Sequence, residues 1–396
     1  MINFGILFIF KYFNFANETI HKLVNVAGFE YHISNLDILL PVGISFYSFQ
    51  AVAYTFDVYN KKIKPEHHLG HFALFISFFP KLISGPIERG ADFLPQIKQK
   101  VNFDIDRINS GFQLFLWGIF KKVVIADRLQ LYVDMVYSNP YDYSGKSLIL
   151  ATWFFTIQIY CDFSAYTDMA IGCGRMLGFD ISKNFNFPYF ARSINDFWKR
   201  WHITLTSWFR DYLYFPLGGN RVSYAHWLSN IMIVFLISGL WHGANWTFLV
   251  WGGLHGLFYL VEQKTDGLTK RIGDRLKIND SLLAMFQIFL TFNLVAFAWI
   301  FFRADSFDQA IYISTHLFSG FQNPLQYGSS EFTTIITMML LLMFVSLECL
   351  NYYNRQKEIV DFGSLNHIFK SVWVVSIFII TCLFGVSTNN FIYFHF

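Results

Sequence analysis

Charged side chains are scarce in this sequence. Asp, Glu, Lys and Arg make up 14% of its 396 residues, against about 25% in soluble globular proteins. The chain is also 54% hydrophobic and 20% aromatic, with a mean hydropathy of +0.37. This combination excludes intrinsic disorder, which needs low hydrophobicity and high charge, and it disfavours an enzyme bathed in water on all sides. The composition therefore predicts a polytopic membrane protein.

Cysteine and an excess of one charge are also lacking. The four cysteines form no C-x-x-C pair, so neither a zinc site nor a disulfide framework is indicated, and we expect them to be small buried residues. With 30 basic and 27 acidic residues, the charge is too balanced for a nucleic-acid binder. We expect no metal and no permanently bound cofactor. The four cysteines are Cys161, Cys173, Cys349 and Cys382.

Long apolar runs recur along almost the whole chain. A membrane-spanning helix needs about 20 mostly apolar residues, and about ten segments qualify, several of them short or broken. The first carries Lys11 and is not organised like a cleavable signal peptide. No soluble domain is visible, so we expect one integral-membrane domain over residues 1–396. The segments are 2–15, 36–59, 70–87, 110–126, 148–172, 227–240, 244–262, 282–303, 332–350 and 371–389.

The distribution of Lys and Arg between the apolar runs predicts an orientation. Loops 60–68, 263–280 and 351–370 are rich in Lys and Arg, whereas the stretch 304–331 contains neither. Cytoplasmic loops of membrane proteins carry an excess of these residues. The three basic loops are therefore expected in the cytoplasm and residues 304–331 outside.

Residues 190–222 are unusually polar for such a chain. Tryptophans and other apolar residues recur there at spacings of three and four, which predicts one face of a helix. Lys199, Thr206 and Arg210 would share a second face, with His202 at its edge. Such a helix could anchor the protein at the headgroup level of the membrane or line a wet cavity. The apolar face comprises Trp198, Trp201, Leu205, Trp208 and Tyr212.

A second polar motif, SGLWHGANW at residues 238–246, lies between two apolar runs. It contains His242 next to a glycine, and a polar group at membrane depth is expensive and tends to be functional. An imidazole titrates near neutrality and can take a proton from a hydroxyl group. His242 is therefore a candidate for catalysis or proton handling, although a structural histidine remains the alternative. For His255, 13 residues further on, packing is the default interpretation.

These motifs resemble the membrane-bound O-acyltransferase (MBOAT) family, most closely its alginate O-acetyltransferase-like bacterial branch. The resemblance implies an all-α ring of about ten transmembrane helices, with re-entrant or interfacial helices around a thin central funnel. Members of this branch usually begin with about two more hydrophobic segments before FKYFNF, here at 10–15, so the N-terminus is expected to be shortened. The matching pieces are FISFFPKLISGPIERG (75–90), CDFSAYTDMAIG (161–172), NDFWKRWHITLTSWFRDYLYFPLGGNR (195–221) and SGLWHGANWTFLVWGGLHG (238–256).

The resemblance also implies roles for individual residues. The active-site histidine of the family falls on His242, the general base, and a second histidine falls on His202, which would position or polarise the reactants. The donor would be an acyl thioester such as acetyl-CoA from the cytoplasm. The remaining candidates are assigned to donor binding. They are Lys199, Arg200 and Arg210 for the phosphates of CoA, and Trp198, Trp201, Trp241 and Asn245 for the walls of the site.

The expected product is an O-acetylated cell-surface polysaccharide, either an alginate-like exopolysaccharide or peptidoglycan. An extracytoplasmic SGNH-type acetyltransferase would complete the delivery, and the chain would lie in the bacterial cytoplasmic (inner) membrane among its lipids. Two alternatives stay open. One is D-alanyl transfer to teichoic acid from a carrier-protein thioester. The other is a proton-coupled transporter, although the two related halves typical of transporters are not visible here.

Overall fold

Helices account for all regular structure in the part of the chain that is described. The computed structural model describes residues 2–265, 267, 275, 277–326, 331–354, 367–388 and 391, and no strand occurs among them. The helices are α1 (Ile2–Leu7), α2 (Phe13–Val26), α3 (Ile44–Tyr59), α4 (Leu69–Ser77), α5 (Gly90–Lys98), α6 (Ile105–Phe120), α7 (Asp127–Ser138), α8 (Gly145–Met176), α9 (Ile194–Trp198), α10 (Ile203–Phe209), α11 (Tyr224–His242), α12 (Trp246–Lys264), α13 (Asp280–Arg303), α14 (Phe307–His316), α15 (Glu331–Tyr353) and α16 (His367–Phe384).

Four helices in the described ranges are long and apolar enough to cross a membrane. They are α8, α11, α13 and residues Thr333–Tyr353 of α15, and each coincides with a predicted segment. The fold is therefore all-α with several candidate membrane spans, as expected. The number of ten transmembrane helices stays a prediction.

Two of the predicted segments are broken by proline and glycine. In the segment 36–59, helix α3 begins only at Ile44, after Pro41 and a left-handed Gly43 with φ of +77°. In the segment 70–87, helix α4 ends at Ser77 and a single 3₁₀ turn containing Pro80 follows. Proline lacks the amide hydrogen that a helix interior needs, so an apolar run of spanning length does not become one continuous helix here.

The prediction of one amphipathic helix across 198–212 is wrong. Helix α9 ends at Trp198, and α10 begins only after His202, whose φ of +43° is left-handed. A right-handed helix cannot continue through such a residue. The amide of Ile203 bonds instead to the backbone carbonyl of Asn184, at 2.9 Å. The spacing of the tryptophans is helical, but a tertiary contact takes the hydrogen bond that would have extended the helix.

Helices α11 and α12 form a tightly packed antiparallel hairpin. A side chain at Gly239 would collide with the carbonyl oxygen of Phe248, and one at Gly252 would collide with that of Phe235. Only glycine permits this approach of the two backbones. The hairpin places the end of α11 beside the start of α12, and it places Tyr224 at the same end as Lys264.

The hairpin defines two ends of the helical bundle, which we call the basic end and the His242 end. At the basic end, the carboxylate of Glu262 accepts the amides of Ile194 and Asn195, at 2.5 and 3.2 Å. At the His242 end, the ring of Phe302 near the end of α13 lies 5.3 Å from that of His242. The chain that follows α13 enters the Lys- and Arg-free stretch, so the two predicted sides of the membrane correspond to two ends of the fold. Most of the basic loops 263–280 and 351–370 lies outside the described residues.

The expectation of four buried cysteines is only partly met. Cys161 is buried in α8 and Cys173 is half-buried, but Cys349 and Cys382 are exposed on α15 and α16. These two helices carry many exposed apolar side chains, because in a membrane protein the outer surface faces lipid. An apolar neighbourhood in the sequence therefore does not predict burial inside the protein.

Candidate active site

His242 is the last residue of α11 and lies at the junction of three helices. Its ring is buried and packs edge-on against Trp241, Trp251 and Phe302, with centroid distances of 4.9, 5.0 and 5.3 Å. Helix α11 ends at this position because Gly243 takes an extended conformation and Asn245 starts α12 by accepting the amide of Thr247 at 3.1 Å. The helix break thus places an imidazole at the end of a helix among aromatic rings.

A cavity of about 140 Å³ opens onto His242. Its wall is formed by the irregular segment before α3, the start of α3, Ile83 and the Trp241–His242 dipeptide. The wall is mainly apolar, and the described residues that line it include no acidic side chain. Lys11 from the N-terminal helical segment contributes the one ammonium group among them. The site therefore combines an imidazole and a lysine amino group in a small apolar enclosure.

Lys11 is bound to the backbone of the His242 motif. Its Nζ donates hydrogen bonds to the carbonyl oxygens of Trp241 at 2.7 Å and His242 at 3.0 Å, and it lies 5.8 Å from the centroid of the Trp241 ring. The last carbonyls of a helix lack intrahelical partners, and cations are favoured there. Lys11 itself lies in a π-helical turn, Phe8–Tyr12, a distortion often found at functional sites.

His202 is fully buried, and Asn184 determines its orientation. The Asn184 side-chain oxygen accepts the backbone amide of Thr204 at 3.2 Å and the Thr204 hydroxyl at 2.8 Å. Because a backbone amide can only donate, that atom of Asn184 must be the oxygen. The Nδ1 of His202 lies 3.1 Å from the same oxygen and must therefore carry a proton. In the neutral ring, Nε2 is then an acceptor, and it has no hydrogen-bond partner among the described residues.

Trp241 joins the two histidines. Its ring lies 6.1 Å from that of His202 and 4.9 Å from that of His242, and Phe46 contacts both Trp241 and His202, at 5.4 and 6.2 Å. The two histidines, forty positions apart in sequence, thus lie on the same aromatic core. The cavity reaches His242 and Trp241, whereas His202 lies behind them and does not line it.

Two of the predicted tryptophans belong to a neighbouring aromatic layer. Trp198 packs against Trp251 and His255, at 5.9 and 5.0 Å, and Trp201 packs against Trp299 at 5.2 Å. Both are buried, and neither lines the cavity at His242. His255 lies within this layer, and both of its ring nitrogens lack a hydrogen-bond partner among the described residues. His255 therefore packs through the faces and edges of its ring, in agreement with its interpretation as a packing residue.

The predicted donor-binding cations lie apart from the cavity. Lys199 is exposed, Arg200 pairs with Asp196 at 2.8 Å, and Arg210 pairs with the adjacent Asp211 at 2.8 Å. Arg200 also lies 5.8 Å from the ring of Tyr352, near the end of α15 and thus at the basic end. These residues are near the predicted cytoplasmic side and not at His242. Asn245 has a structural position as the cap of α12.

Two residues that the sequence analysis did not assign to the site are part of it. In the sequence Lys11 is a charge within an apolar run, and a lysine at membrane depth itself indicates function. Asn184 gave no signal, because its neighbours are ordinary loop residues. Its role becomes visible only when the segment before α9 packs against the His202 turn.

The chain is similar to known proteins over most of its length. The profile of the MBOAT, membrane-bound O-acyltransferase family, matches residues 61–292, which include both histidines. The chain is 36% identical over 363 residues to the probable alginate O-acetylase AlgI of Pseudomonas aeruginosa, covering 90% of this chain and 67% of that protein. It is 37% identical over 335 residues to the peptidoglycan O-acetyltransferase of Helicobacter pylori, covering 78% of this chain and 62% of that protein.

A third relative is more distant. The teichoic acid D-alanyltransferase of Bacillus subtilis is 26% identical over 278 residues, covering 67% of this chain and 69% of that protein. The chain thus spans about two thirds of the length of these relatives. Both the extent of the profile match and the identity over most of the chain lead to the same conclusion. The chain belongs to the membrane-bound O-acyltransferase family.

Proposed function

We propose that this protein transfers an acetyl group from a cytoplasmic thioester, acetyl-CoA, across the membrane for the O-acetylation of a cell-surface polysaccharide. The placement of His242 carries the proposal, because it is a buried imidazole on the wall of a small cavity in a membrane-bound O-acyltransferase. Relatives named as acetylating alginate and peptidoglycan support an acetyl donor and a polysaccharide acceptor. The small size of the cavity favours a short acyl group over a fatty acyl chain.

In this proposal His242 is the general base. It takes the proton of an acceptor hydroxyl while the hydroxyl oxygen attacks the thioester carbonyl, and it returns a proton to the leaving thiolate. His202 keeps its Nδ1 proton on Asn184 and acts through the aromatic contact with Trp241, so it positions the site. Trp241, which lines the cavity, keeps water away from the thioester, and Trp198 and Trp201 support the site from the neighbouring aromatic layer.

The donor enters from the basic end, where Lys199, Arg200 and Arg210 bind the phosphates of CoA. Lys199 is exposed, and Arg200 and Arg210 pair with Asp196 and Asp211. In this proposal all three are accessible to a soluble donor. Charged hydrogen bonds from Lys and Arg are the usual means of holding phosphate. The orientation of the basic end toward the cytoplasm follows from the distribution of Lys and Arg.

The acceptor side lies at the His242 end. There an extracytoplasmic SGNH-type acetyltransferase receives the acetyl group and passes it to the polysaccharide. We place the protein in the cytoplasmic (inner) membrane of a bacterium, with about ten helices in a ring around a thin centre, where the donor and acceptor funnels meet at the histidines.

D-Alanyl transfer to teichoic acid is the second candidate. The relative with that name is 26% identical, against 36–37% for the acetyl-transferring relatives, so acetyl transfer is favoured. A proton-coupled transporter is disfavoured by membership of an acyltransferase family.

The test is the amount of ester-linked acetate on surface polysaccharide in cells with wild-type protein or His242→Ala. We expect a loss of at least about 100-fold, the lower range of a general base's contribution. His255→Ala is the matched control, because it removes an equally buried imidazole that packs in the aromatic layer. Levels in the membrane are equalised by immunoblot. Acetate unchanged in His242→Ala would contradict acetyl transfer through this residue, and D-alanyl esters would then be measured in the same cells.

A further inference from the structure

The amino group of Lys11 has no carboxylate partner among the described residues. The side chain is half-buried, it lines the cavity beside His242, and it makes no ion pair with any described acidic residue. A lysine in an apolar setting normally pairs with a carboxylate. Here the ammonium has only the carbonyl oxygens of Trp241 and His242 as hydrogen-bond partners among the described residues. An ammonium has three N–H donors, so one remains for a ligand.

The proposed reaction at His242 generates a negative charge that could pair with Lys11. When a hydroxyl oxygen bonds to a thioester carbonyl carbon, the π electrons of the carbonyl move onto its oxygen, which becomes an oxyanion. Donors fixed in an apolar enclosure stabilise such a charge strongly. His202 is not such a donor, because its Nε2 is the unprotonated nitrogen and the ring lies behind Trp241.

We propose that Lys11 is the oxyanion-stabilising residue of this active site. Two of its N–H groups hold the end of α11, and the third binds the oxyanion of the tetrahedral intermediate while His242 holds the acceptor's proton. The intermediate then collapses, the carbon–sulfur bond breaks, and the proton passes from His242 to the thiolate. This inference rests on the proposed function, since it assigns a residue to the same transfer.

A purely structural role for Lys11 is the competing explanation. A cation that binds the last carbonyls of a helix stabilises that helix, and its loss would then lower stability and not the rate per folded molecule. The two roles are separable, because oxyanion stabilisation acts on kcat and leaves the KM of the donor unchanged.

The experiment uses permeabilised cells that contain the full chain and its partners, supplied with acetyl-CoA. The initial rate of acetate incorporation into surface polysaccharide is measured against donor concentration and divided by the amount of protein in the membrane. For Lys11→Met we expect kcat to fall by about 100- to 1,000-fold, the effect of removing one oxyanion donor, with an unchanged KM. Lys11→Arg keeps a charged donor and should be at least tenfold more active than Lys11→Met. Lys22→Met, at an exposed lysine on α2, should match wild type.

Wild-type kcat in Lys11→Met would overturn the inference, as would a loss confined to KM or an equal loss in Lys11→Met and Lys11→Arg. If Lys11→Met does not accumulate in the membrane, Lys11→Gln replaces it, since the amide can still bond to carbonyl oxygens but has no charge, and a low kcat is again expected. His242→Ala is measured in parallel. Activity retained in His242→Ala contradicts the proposed function, whereas an inactive His242→Ala with a fully active Lys11→Met contradicts only the role of Lys11.

Discussion

Two regions of this protein bury polar side chains in very different ways. In the first, the active-site region, His242 and His202 are surrounded by aromatic rings, and the cavity contains Lys11, which has no carboxylate partner in the described part of the chain. In the second, which we call the paired-lysine cluster, two buried lysines on a π-helical turn each contact acidic side chains. Its contacts are Lys121–Asp168 at 2.7 Å, Lys122–Asp162 at 2.6 Å and Lys122–Asp127 at 2.8 Å.

The two regions differ in whether their buried charged groups have partners within the protein. Burying a charge is costly unless a partner compensates it, and the paired-lysine cluster meets this condition within the protein. It joins α8 to the turn between α6 and α7, so its role is architectural. In the active-site region, Lys11 bonds only to two backbone carbonyl oxygens among the described residues, so its remaining N–H group is available to a substrate.

The largest effect on stability is expected in the paired-lysine cluster. Lys122→Met leaves the carboxylates of Asp162 and Asp127 without their lysine, and removing one partner of a buried pair costs about 3–5 kcal/mol. The free energy of unfolding in detergent micelles should fall by that amount, and less protein should accumulate in the membrane. The rate of acetyl transfer per folded molecule should stay at the wild-type level.

The double variant with Lys122→Met and Asp162→Asn is the matched control for this prediction. It removes one of the two carboxylate charges that Lys122→Met leaves without their lysine, and it should recover part of the lost stability. If Lys122→Met changed the unfolding free energy by less than 1 kcal/mol, the cluster would behave like a surface ion pair and the contrast between the regions would disappear.

An intermediate effect is expected from the anchor of His202. Asn184→Ala removes the acceptor that holds the Nδ1 proton, and a lost buried hydrogen bond costs about 1–3 kcal/mol. If that cost falls on the transition state, the acetate incorporation per molecule drops by about 5- to 150-fold. The test is the rate of acetate incorporation in permeabilised cells, measured at a pH where the rate no longer changes with pH. The rate is divided by the amount of the protein in the membrane.

Thr204→Val separates this effect from a general loss of stability. Thr204 donates its hydroxyl to the same Asn184 oxygen and accepts the amide of Ile87 at 3.1 Å, so the variant also disrupts the network. It leaves the His202–Asn184 bond in place, and we expect an unfolding free energy lowered as in Asn184→Ala with a much smaller loss of rate. Equal rate losses in both variants would show that the packing of the loop, and not the orientation of the imidazole, determines the rate.

The smallest effect is expected at the basic end. Lys199 is exposed, so Lys199→Met should change the free energy of unfolding by less than about 0.5 kcal/mol. If the residue binds a phosphate of CoA, the KM for acetyl-CoA rises severalfold at an unchanged kcat, and the increase is smaller at high salt. Lys264→Met, at the end of α12, provides a control for charge alone. Equal KM values in wild type and Lys199→Met would remove Lys199 from the donor site.

The helices were predictable where the evidence is local. The segments 148–172, 227–240 and 282–303 match α8, α11 and α13 because a long apolar run can satisfy its backbone in a membrane only as a helix. The tryptophan spacing across 198–212 predicts one helix that does not form, because the amide of Ile203 bonds to Asn184 and not to the preceding helical turn. Periodicity records which residues can share a face, and it does not record a competing acceptor from another part of the chain.

The class of the protein, the helical runs and the two candidate histidines follow from hydropathy, helix period and motif, which are properties of neighbouring residues. What those histidines can do depends on how distant parts of the chain pack. Asn184, 18 positions from His202, determines which ring nitrogen of His202 is protonated. Lys11, 231 positions from His242, brings an amino group to the end of α11. Both depend on packing between distant segments, where geometry determines which polar groups are paired and which remain for a substrate.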